Sequence, residues 1–582
     1  MISSSLSLSE IQHRIDEVKR FLSVTLSIAN AHTVEFYTHG VWERFVAVSP
    51  QEVLSTISSD SDQQRELEHC AKEKSKTTFG FCSDTNRLVD THELLEAAKS
   101  HSLPGLGVCM SRDELLRALG ERGVERGAEL EPDEFMNSKK SHEVQSMSEV
   151  VACLARRCGV KQVIDVGSGK GYLSSFLSLQ YGLQVYGIDS SSTNTHGAQE
   201  RNRKLKKFSR AYQKSSKAAR VQGEASHSPQ EEVVEMKRDD EAGTVAKEEE
   251  EEEEEVIGFP DMTSAVERPS EPHPETDELF LSALSVDVVQ TTPPRVPPSQ
   301  LSAEERERRK RENLERKAKN RSQSTSTMFS PLTSYVTAET ELRELINELE
   351  DAVMVGLHTC GDLAPSTLRM FVAKAELAAV CSVGCCYHLL SEEFDPARQE
   401  CAHSVCGFPL SQYLRHQSWF CGRNARMSAC LALERVSVGQ GIQMESLFYR
   451  AVLHVILRDH YSSFKSEKRV GNVYSKSKSF VDYVHRALRR LDLDDSKLSD
   501  SHIQEYHDTF RPRKEEMHAF NMLKVTLAPC IEGLILLDRL CYLKEQEDLS
   551  FSALVQLFDP VLSPRCYAVV GLKRMEGRCS CR

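Results

Sequence analysis

The chain has 582 residues, 40% of them apolar and 27% charged, with a formal net charge of −14. That length exceeds what a single hydrophobic core serves, so several domains are expected. The composition is that of a globular protein with some disorder, and the acidic balance excludes a polyanion binder that works through its whole surface, though not a local basic groove.

The first residues, MISSSLSLSEIQ, have no basic start followed by an apolar run, so no signal peptide is expected. Residues 1–130 read as a helical region. Three capping boxes mark helix starts: Ser9 with Gln12, Ser49 with Glu52 (Pro50 at the first helical position), and Ser111 with Glu114. After Ser9, Ile11, Ile15, Val18, Leu22 and Leu26 follow a helical stripe.

A helix over 143–157 buries Val144, Met147, Val151 and Leu154. It is followed by VIDV (163–166) and VYGID (185–189), short apolar runs without alternation, as in parallel strands buried on both faces. YLSSFLSLQ (172–180) is helical between them, giving a βαβ unit. Residues 131–208 are thus the first part of an α/β domain.

From 209 to 331 the composition collapses into eight consecutive glutamates (248–255), TTPPRVPPSQ (291–300) and a charged tract from Glu304 to Arg321. Such a segment cannot bury enough apolar surface to offset ordering entropy, so it reads as a long disordered insertion with one charged helix at 303–319. Within it RRKR (308–311) is a nuclear-import or RNA-contact candidate, although the interleaved acids favour a solvated helix. The domain resumes over 332–582. TSYVT (333–337), AVMVGL (352–357) and LAAVCSV (377–383) read as strands, 389–550 as a helical insertion, and SALVQLF (552–558) with CYAVVGL (566–572) as an antiparallel pair. The two helical regions are expected to roof the carboxyl edge of the sheet. The late apolar run CIEGLILLDRLCYL (530–543) holds Glu532, Asp538 and Arg539 and is too short to span a bilayer, so no membrane is expected.

The motif that carries chemistry is VIDVGSGKGYL (163–173). A glycine-rich turn from strand to helix lets the backbone approach a ligand closely. The spacing is Gly167, Ser168, Gly169, Gly171, with Tyr172 where a nicotinamide-binding fingerprint wants its third glycine. This tighter form, with Asp165 two residues earlier, resembles motif I of methyltransferases that use S-adenosylmethionine (SAM). Asp189 ends the second strand, placed to accept hydrogen bonds from both ribose hydroxyls. By the resemblance, Asp165 holds the methionine ammonium end, directly or through water.

Three more stretches sharpen the likeness: FMNSKKSHEV (135–144), GLHTCGDLAPSTLR (356–369) and CSVGCCYHLL (381–390). In this order around motif I, and with the tail FDPVLSPRCYAVVGLKR (558–574), they resemble the methyltransferase-like protein 25 family. The close likeness covers 135–205, 333–420 and that tail, and leaves the insertion without a counterpart. More distantly, H-x-C-G followed by a Cys-Cys pair resembles enzymes that methylate a tRNA ribose hydroxyl. The resemblance implies a Rossmann-like class I methyltransferase sheet with added helical regions, SAM as cofactor, and no particular acceptor.

His358 and Cys360 fall just past the fourth strand, and Cys385, Cys386 and His388 just past the fifth, at the carboxyl edge where open α/β sheets bind ligands. Methyl transfer needs alignment and removal of a proton from the acceptor. His358 or His388 is a candidate base, and Asp362 either a third or the cap of the next helix. HTCGD stands where amino-methylating enzymes carry Asn/Asp-Pro-Pro-aromatic, which disfavours base-amine methylation. Two His and three Cys near one point suffice for a tetrahedral zinc site, yet no C-x₂-C knuckle is present, and no metal is expected. Lys139, Lys140, His142 and Glu143 stand near the cofactor mouth in the family reading. Eighteen unevenly spaced cysteines, two of them Cys579 and Cys581 at the end of the chain, point to mostly free thiols in a reducing compartment, cytoplasm or nucleus. The leading function is methyl transfer to an unassigned acceptor, with RNA favoured over protein through the distant likeness and RNRKLKK (201–207). The runner-up is a SAM-binding pseudoenzyme or interaction scaffold without turnover.

Overall fold

Aliphatic runs buried on both sides form the middle of a sheet with helices packed on each face. The structure, a computed structural model, describes residues 6–63, 79–83, 87–120, 136–203, 329–396, 405–433, 436, 444–461 and 470–574. Most of the insertion, with its charged tract and RRKR, and the terminal Cys579 and Cys581 lie outside these residues. All described residues fall in one unit, Met1–Lys204 with Glu275–Arg582.

In chain order the elements are α1 (Leu8–Asn30), α2 (Val41–Phe45), α3 (Pro50–Gln63), α4 (Thr91–Ser100), β1 (Cys109–Ser111), α5 (Arg112–Ala118), α6 (Ser138–Cys158), β2 (Gln162–Val166), α7 (Tyr172–Tyr181) and β3 (Gln184–Asp189). After β4 (Phe329–Thr333) come α8 (Leu342–Leu345), β5 (Ala352–Thr359), α9 (Leu363–Ala373), β6 (Leu377–Gly384), α10 (Gln412–Arg415) and α11 (Arg423–Ser428). The chain continues through α12 (Met444–His460), α13 (Phe480–Arg490), α14 (Asp500–Phe510) and α15 (Lys514–Lys544) to β7 (Leu549–Gln556) and β8 (Tyr567–Lys573).

The sheet runs β1-β7-β8-β6-β5-β2-β3-β4. Its strands are parallel except β8, which is antiparallel to both β6 and β7. This is the expected Rossmann-like methyltransferase sheet, with the three-residue β1 added at one edge. The order reverses between β2 and β5, so the ligand crevice of an open α/β sheet opens at their carboxyl ends. Alternate residues sort into two layers. Val163, Val353, Val355 and Ala379 face Met147, Val151 and Leu154 of α6 and Leu173 and Leu177 of α7. Ile164, Val166, Met354 and Val380 belong to the core shared with α9 and α15.

Helix α15 is apolar nearly all round, and 23 of its 31 residues are buried, so it cannot lie on a surface. The helical run Asp500–Lys544 is long and apolar enough by composition to cross a bilayer, unlike the shorter stretch at 530–543, but 89% of its apolar window is buried in this molecule. One side of α15 meets β7, β8 and α9; the other meets α1, α3, α4 and α11. The helical regions therefore cover a face of the sheet instead of roofing its edge. They reach the carboxyl edge through the segment after β6. There the Tyr387 hydroxyl donates to Glu532 at 2.8 Å, and Arg426 donates to the carbonyls of Tyr387 and Leu390 at 2.9 and 2.6 Å.

Local signals behave unevenly. The boxes at Ser49 and Ser111 cap helices: Glu52 and Glu114 donate backbone N–H groups to the serine Oγ atoms at 3.2 Å. The first box is built two residues earlier, from Ser7 and Glu10, whose carboxylate returns to the Ser7 N–H. The strand expected at 333–337 is instead Phe329–Thr333. Phe329 is 2% exposed beneath the glycine turn, whereas Tyr335 is 79% exposed. The domain thus resumes before residue 332, within the span read as insertion.

Asn202 donates from its side chain to the Phe329 carbonyl at 2.8 Å, so the two described ends that bracket the insertion are adjacent. Loop-closure cost changes slowly with length. A chain with 209–326 replaced by a short Gly/Ser linker should keep a cooperative melt. Phe329→Ala, or a deletion carried through 331, should lose about 3–5 kcal/mol as a large buried ring is removed. Denaturant titration of both variants checks this; equal stability would place Phe329 outside the core.

Candidate active site

The turn after β2 takes its shape from three left-handed glycines: Gly167 (φ 71°), Gly169 (φ 54°) and Gly171 (φ 70°). Only a residue without Cβ adopts this region at no steric cost. Gly171 has a second reason, since a Cβ there would strike the Phe329 ring. At Gly169 a Cβ would meet nothing within 4 Å, so the turn borders open space. Helix α7 begins here with no side-chain cap on its first N–H groups, and such a terminus attracts anionic or hydrogen-bonding ligand groups.

Asp189, at the tip of β3, ties this turn down. Its Oδ2 accepts from the Gly169 N–H at 2.9 Å, and its Oδ1 from the Ser191 N–H at 2.9 Å and the Asn194 amide at 3.1 Å. Asp165 is 1% exposed and accepts from the Ser174 hydroxyl at 2.6 Å. Burial pushes the Asp165 carboxyl up to about 7; the Ser174 hydrogen bond opposes this and the Asp189 charge adds to it. The Ser168 hydroxyl is buried beside Gly187 and has no hydrogen-bond partner among the described residues. Open space over the turn, an unpartnered hydroxyl and two carboxylates fit a ligand with a cationic end and a diol.

The end of β5 supplies the neighbouring groups. Register with β6 shifts between Leu357 and Thr359, leaving His358 as the extra residue, in a left-handed conformation (φ 66°). A bulge of this kind re-aims a side chain at the rim of a site. His358 Nε2 lies 3.0 Å from Oε1 of Glu143, a fully buried carboxylate on α6 that also accepts from the Ser563 hydroxyl at 2.7 Å. Burial raises the Glu143 carboxyl, but the His358 hydrogen bond and charge, Ser563 and Lys139 outweigh it and hold the group below its ordinary value. His142 instead accepts from the Asp559 N–H at 2.9 Å, pinning the turn before β8. The pairing of Glu143 with His358 was not assigned from the sequence.

The other two base candidates are engaged elsewhere. Asp362 precedes α9 without capping it, and accepts from the Ser391 N–H at 2.8 Å. His388 is 3% exposed, with Nδ1 3.7 Å from the Cys430 sulfur, and burial lowers its basicity. Cys360, Cys385 and Cys386 converge where β5 and β6 end, their sulfurs all within 4.8 Å of one another. Lys140 and Arg201 lie over the Tyr172 ring at 5.2 and 4.0 Å. Burial, with Lys139, Arg201 and Lys170 close by, lowers the Lys140 pKa. A cationic rim therefore borders the glycine turn.

A family model described as a methyltransferase domain matches residues 139–393, which hold every group above except His142's partner, Ser563 and Cys430. The chain is 48% identical to a Mus musculus protein named probable methyltransferase-like protein 25, over 97% of each chain. It is 47% identical to a Homo sapiens protein of the same name, over 98% of each. The chain belongs to the methyltransferase-like protein 25 family. The matched span takes in nearly the whole chain, further than the likeness read from the motifs. The chain is therefore a methyltransferase by its domain, and SAM is the usual methyl donor of such domains.

The two glycines give a graded test. Gly169→Ala carries the left-handed penalty, about 1–2 kcal/mol. Gly171→Ala adds a clash with Phe329, about 1–3 kcal/mol more. Chemical denaturation should rank Gly171→Ala as the less stable; the reverse order would contradict the packing described.

Proposed function

We propose that the chain binds SAM at the Gly167–Gly171 turn and transfers its methyl group to an acceptor held beside His358, with RNA favoured as the acceptor class. The observation that carries this is the placement of the turn, Asp165 and Asp189 on one carboxyl edge with the His358–Glu143 pair. Asp189 would accept from the ribose hydroxyls, Asp165 would hold the ammonium end, and the uncapped start of α7 and the Ser168 hydroxyl offer further hydrogen bonds. The sulfonium of SAM supplies an already activated methyl group.

The protein's own work is then to align the acceptor and take its proton. Glu143 holds His358 through Nε2, which fixes the ring and leaves Nδ1, unbonded among the described residues, as the atom that receives the proton. The cationic rim of Lys139, Lys140, Lys170 and Arg201 suits a phosphate backbone. Thirteen described cysteines are free, which supports a reducing compartment such as cytoplasm or nucleus, while the disulfide at Cys406 counts against it.

Calorimetry with SAM separates binding from chemistry. Asp189→Ala should weaken binding at least about tenfold, because hydrogen bonds to a charged acceptor are worth about 1.5–3 kcal/mol each. His358→Ala should leave SAM affinity nearly intact and lower turnover about 10²-fold or more. Unchanged affinity in Asp189→Ala would overturn the cofactor assignment. Mass spectrometry of RNA and protein from cells lacking the protein identifies the acceptor by the methyl group that is lost.

Asp165 adds a pH dependence. With its carboxyl at about 7, the group is protonated below neutrality, and a cationic ligand end favours the ionised form. The affinity advantage of wild type over Asp165→Asn should therefore grow as pH rises from 6 to 8. An advantage that stays constant or shrinks would remove Asp165 from contact with the ammonium.

A further inference from the structure

The thiols at the ends of β5 and β6 are placed with more care than scattered core cysteines require. Cys360 and Cys385 have their sulfurs 3.0 Å apart, and Cys385 and Cys386 theirs 3.6 Å apart. Two thiolates on one tetrahedral zinc stand about 3.8 Å apart, given a zinc–sulfur bond of about 2.3 Å. The three sulfurs thus span the right size for a single ion, with small adjustments.

The backbone holds them there. Cys385 donates its N–H to the Thr359 carbonyl at 3.3 Å, and the Thr359 hydroxyl donates to the Val383 carbonyl at 3.0 Å, locking the ends of the two strands. Gly361 follows Cys360 in a left-handed turn, and a Cβ there would come within 2.8 Å of Leu389. Gly384 precedes Cys385, and a Cβ there would strike the buried Arg539 guanidinium. Both loops are therefore glycine-hinged at the point of closest approach. Arg539 also brings a fixed positive charge to a place where three thiolates and one divalent ion sum to −1.

We propose that Cys360, Cys385 and Cys386 together bind one thiophilic divalent metal ion of the zinc class. Each thiol gives up its proton on coordination. Three protein sulfurs leave one tetrahedral position. His388 and Cys430, whose Nδ1 and Sγ lie 3.7 Å apart, follow on the same side of the molecule, and water or either of them could complete the set. The site lies on the same carboxyl edge as His358 and does not depend on the assignment of SAM.

Elemental analysis of the purified full-length chain tests this directly. About one zinc per chain is expected after incubation with zinc chloride and gel filtration, falling to background in Cys360→Ser. Cys360 is exposed, so this variant should fold, and its melt checks that it does. Cys82→Ala should retain the metal. Substitution with cobalt should give the near-ultraviolet thiolate-to-cobalt absorption, lost in Cys385→Ser and Cys386→Ser. Zinc at background in wild type, or zinc unchanged in Cys360→Ser, would overturn the proposal. SAM affinity measured on the same samples keeps a failed metal site distinct from a failed methyltransferase reading.

Discussion

A helix that is apolar on every side must be enclosed on every side, and α15 imposes that demand on this molecule. The sheet closes one flank and α1, α3, α4 and α11 the other. Three of its buried polar groups find partners in different parts of the chain. Lys524 donates to the Ala31 carbonyl at 2.7 Å, joining the N-terminal region. Glu532 pairs with Arg565 at 3.0 Å, joining the turn before β8. Asp538 accepts from the Leu410 and Ser411 N–H groups at 2.6 and 2.9 Å, joining the segment that leads into α10. Burial pushes the Asp538 carboxyl up to about 6, and these hydrogen bonds are what keep that rise modest.

The consequence reaches the candidate site. Tyr387, beside the Cys-Cys pair, is held by Glu532, and Gly384 is pressed against Arg539. The loops that carry Cys385, Cys386 and His388 are therefore set by a helix whose sequence follows them by well over a hundred residues. On the other flank of the sheet α6 delivers Glu143 to His358 at the end of β5. The two faces of the sheet thus converge on one edge, one fixing a thiol cluster and the other a carboxylate–histidine pair.

Much of this architecture is legible in the sequence because it rests on local pattern. Unalternating aliphatic runs mark β2, β3, β5 and β6, and the spacing of Gly167, Gly169 and Gly171 marks the turn. Where two local signals compete, the sequence misleads. Ser7–Glu10 and Ser9–Gln12 are both capping boxes, and the carboxylate wins over the amide. TSYVT looks more strand-like than FSPLT, but β4 is an edge strand that tolerates Pro331, and what fixes its register is Phe329 under Gly171. The three residues of β1 are too few to show a period. Long-range pairings leave no local trace at all. Nothing in SKKSHEV says that Glu143 meets a histidine 215 positions later, and nothing in HTCGD says that Asp362 accepts from the Ser391 backbone. The helical regions are legible as helices but not as a layer, because the direction of packing follows from the nearly all-round apolarity of α15 beyond its first turn.

The proposed cofactor site lies at the turn after β2 and the tip of β3. Hydrogen-exchange mass spectrometry of the full chain with and without saturating SAM tests it most directly, because backbone amides at the site are themselves the proposed contacts. Added protection is expected at Gly167–Leu173 and at Asp189–Asn194, with the amides of α1, α3 and α4 unchanged. Protection absent from both segments, or confined to the helical regions, would contradict it.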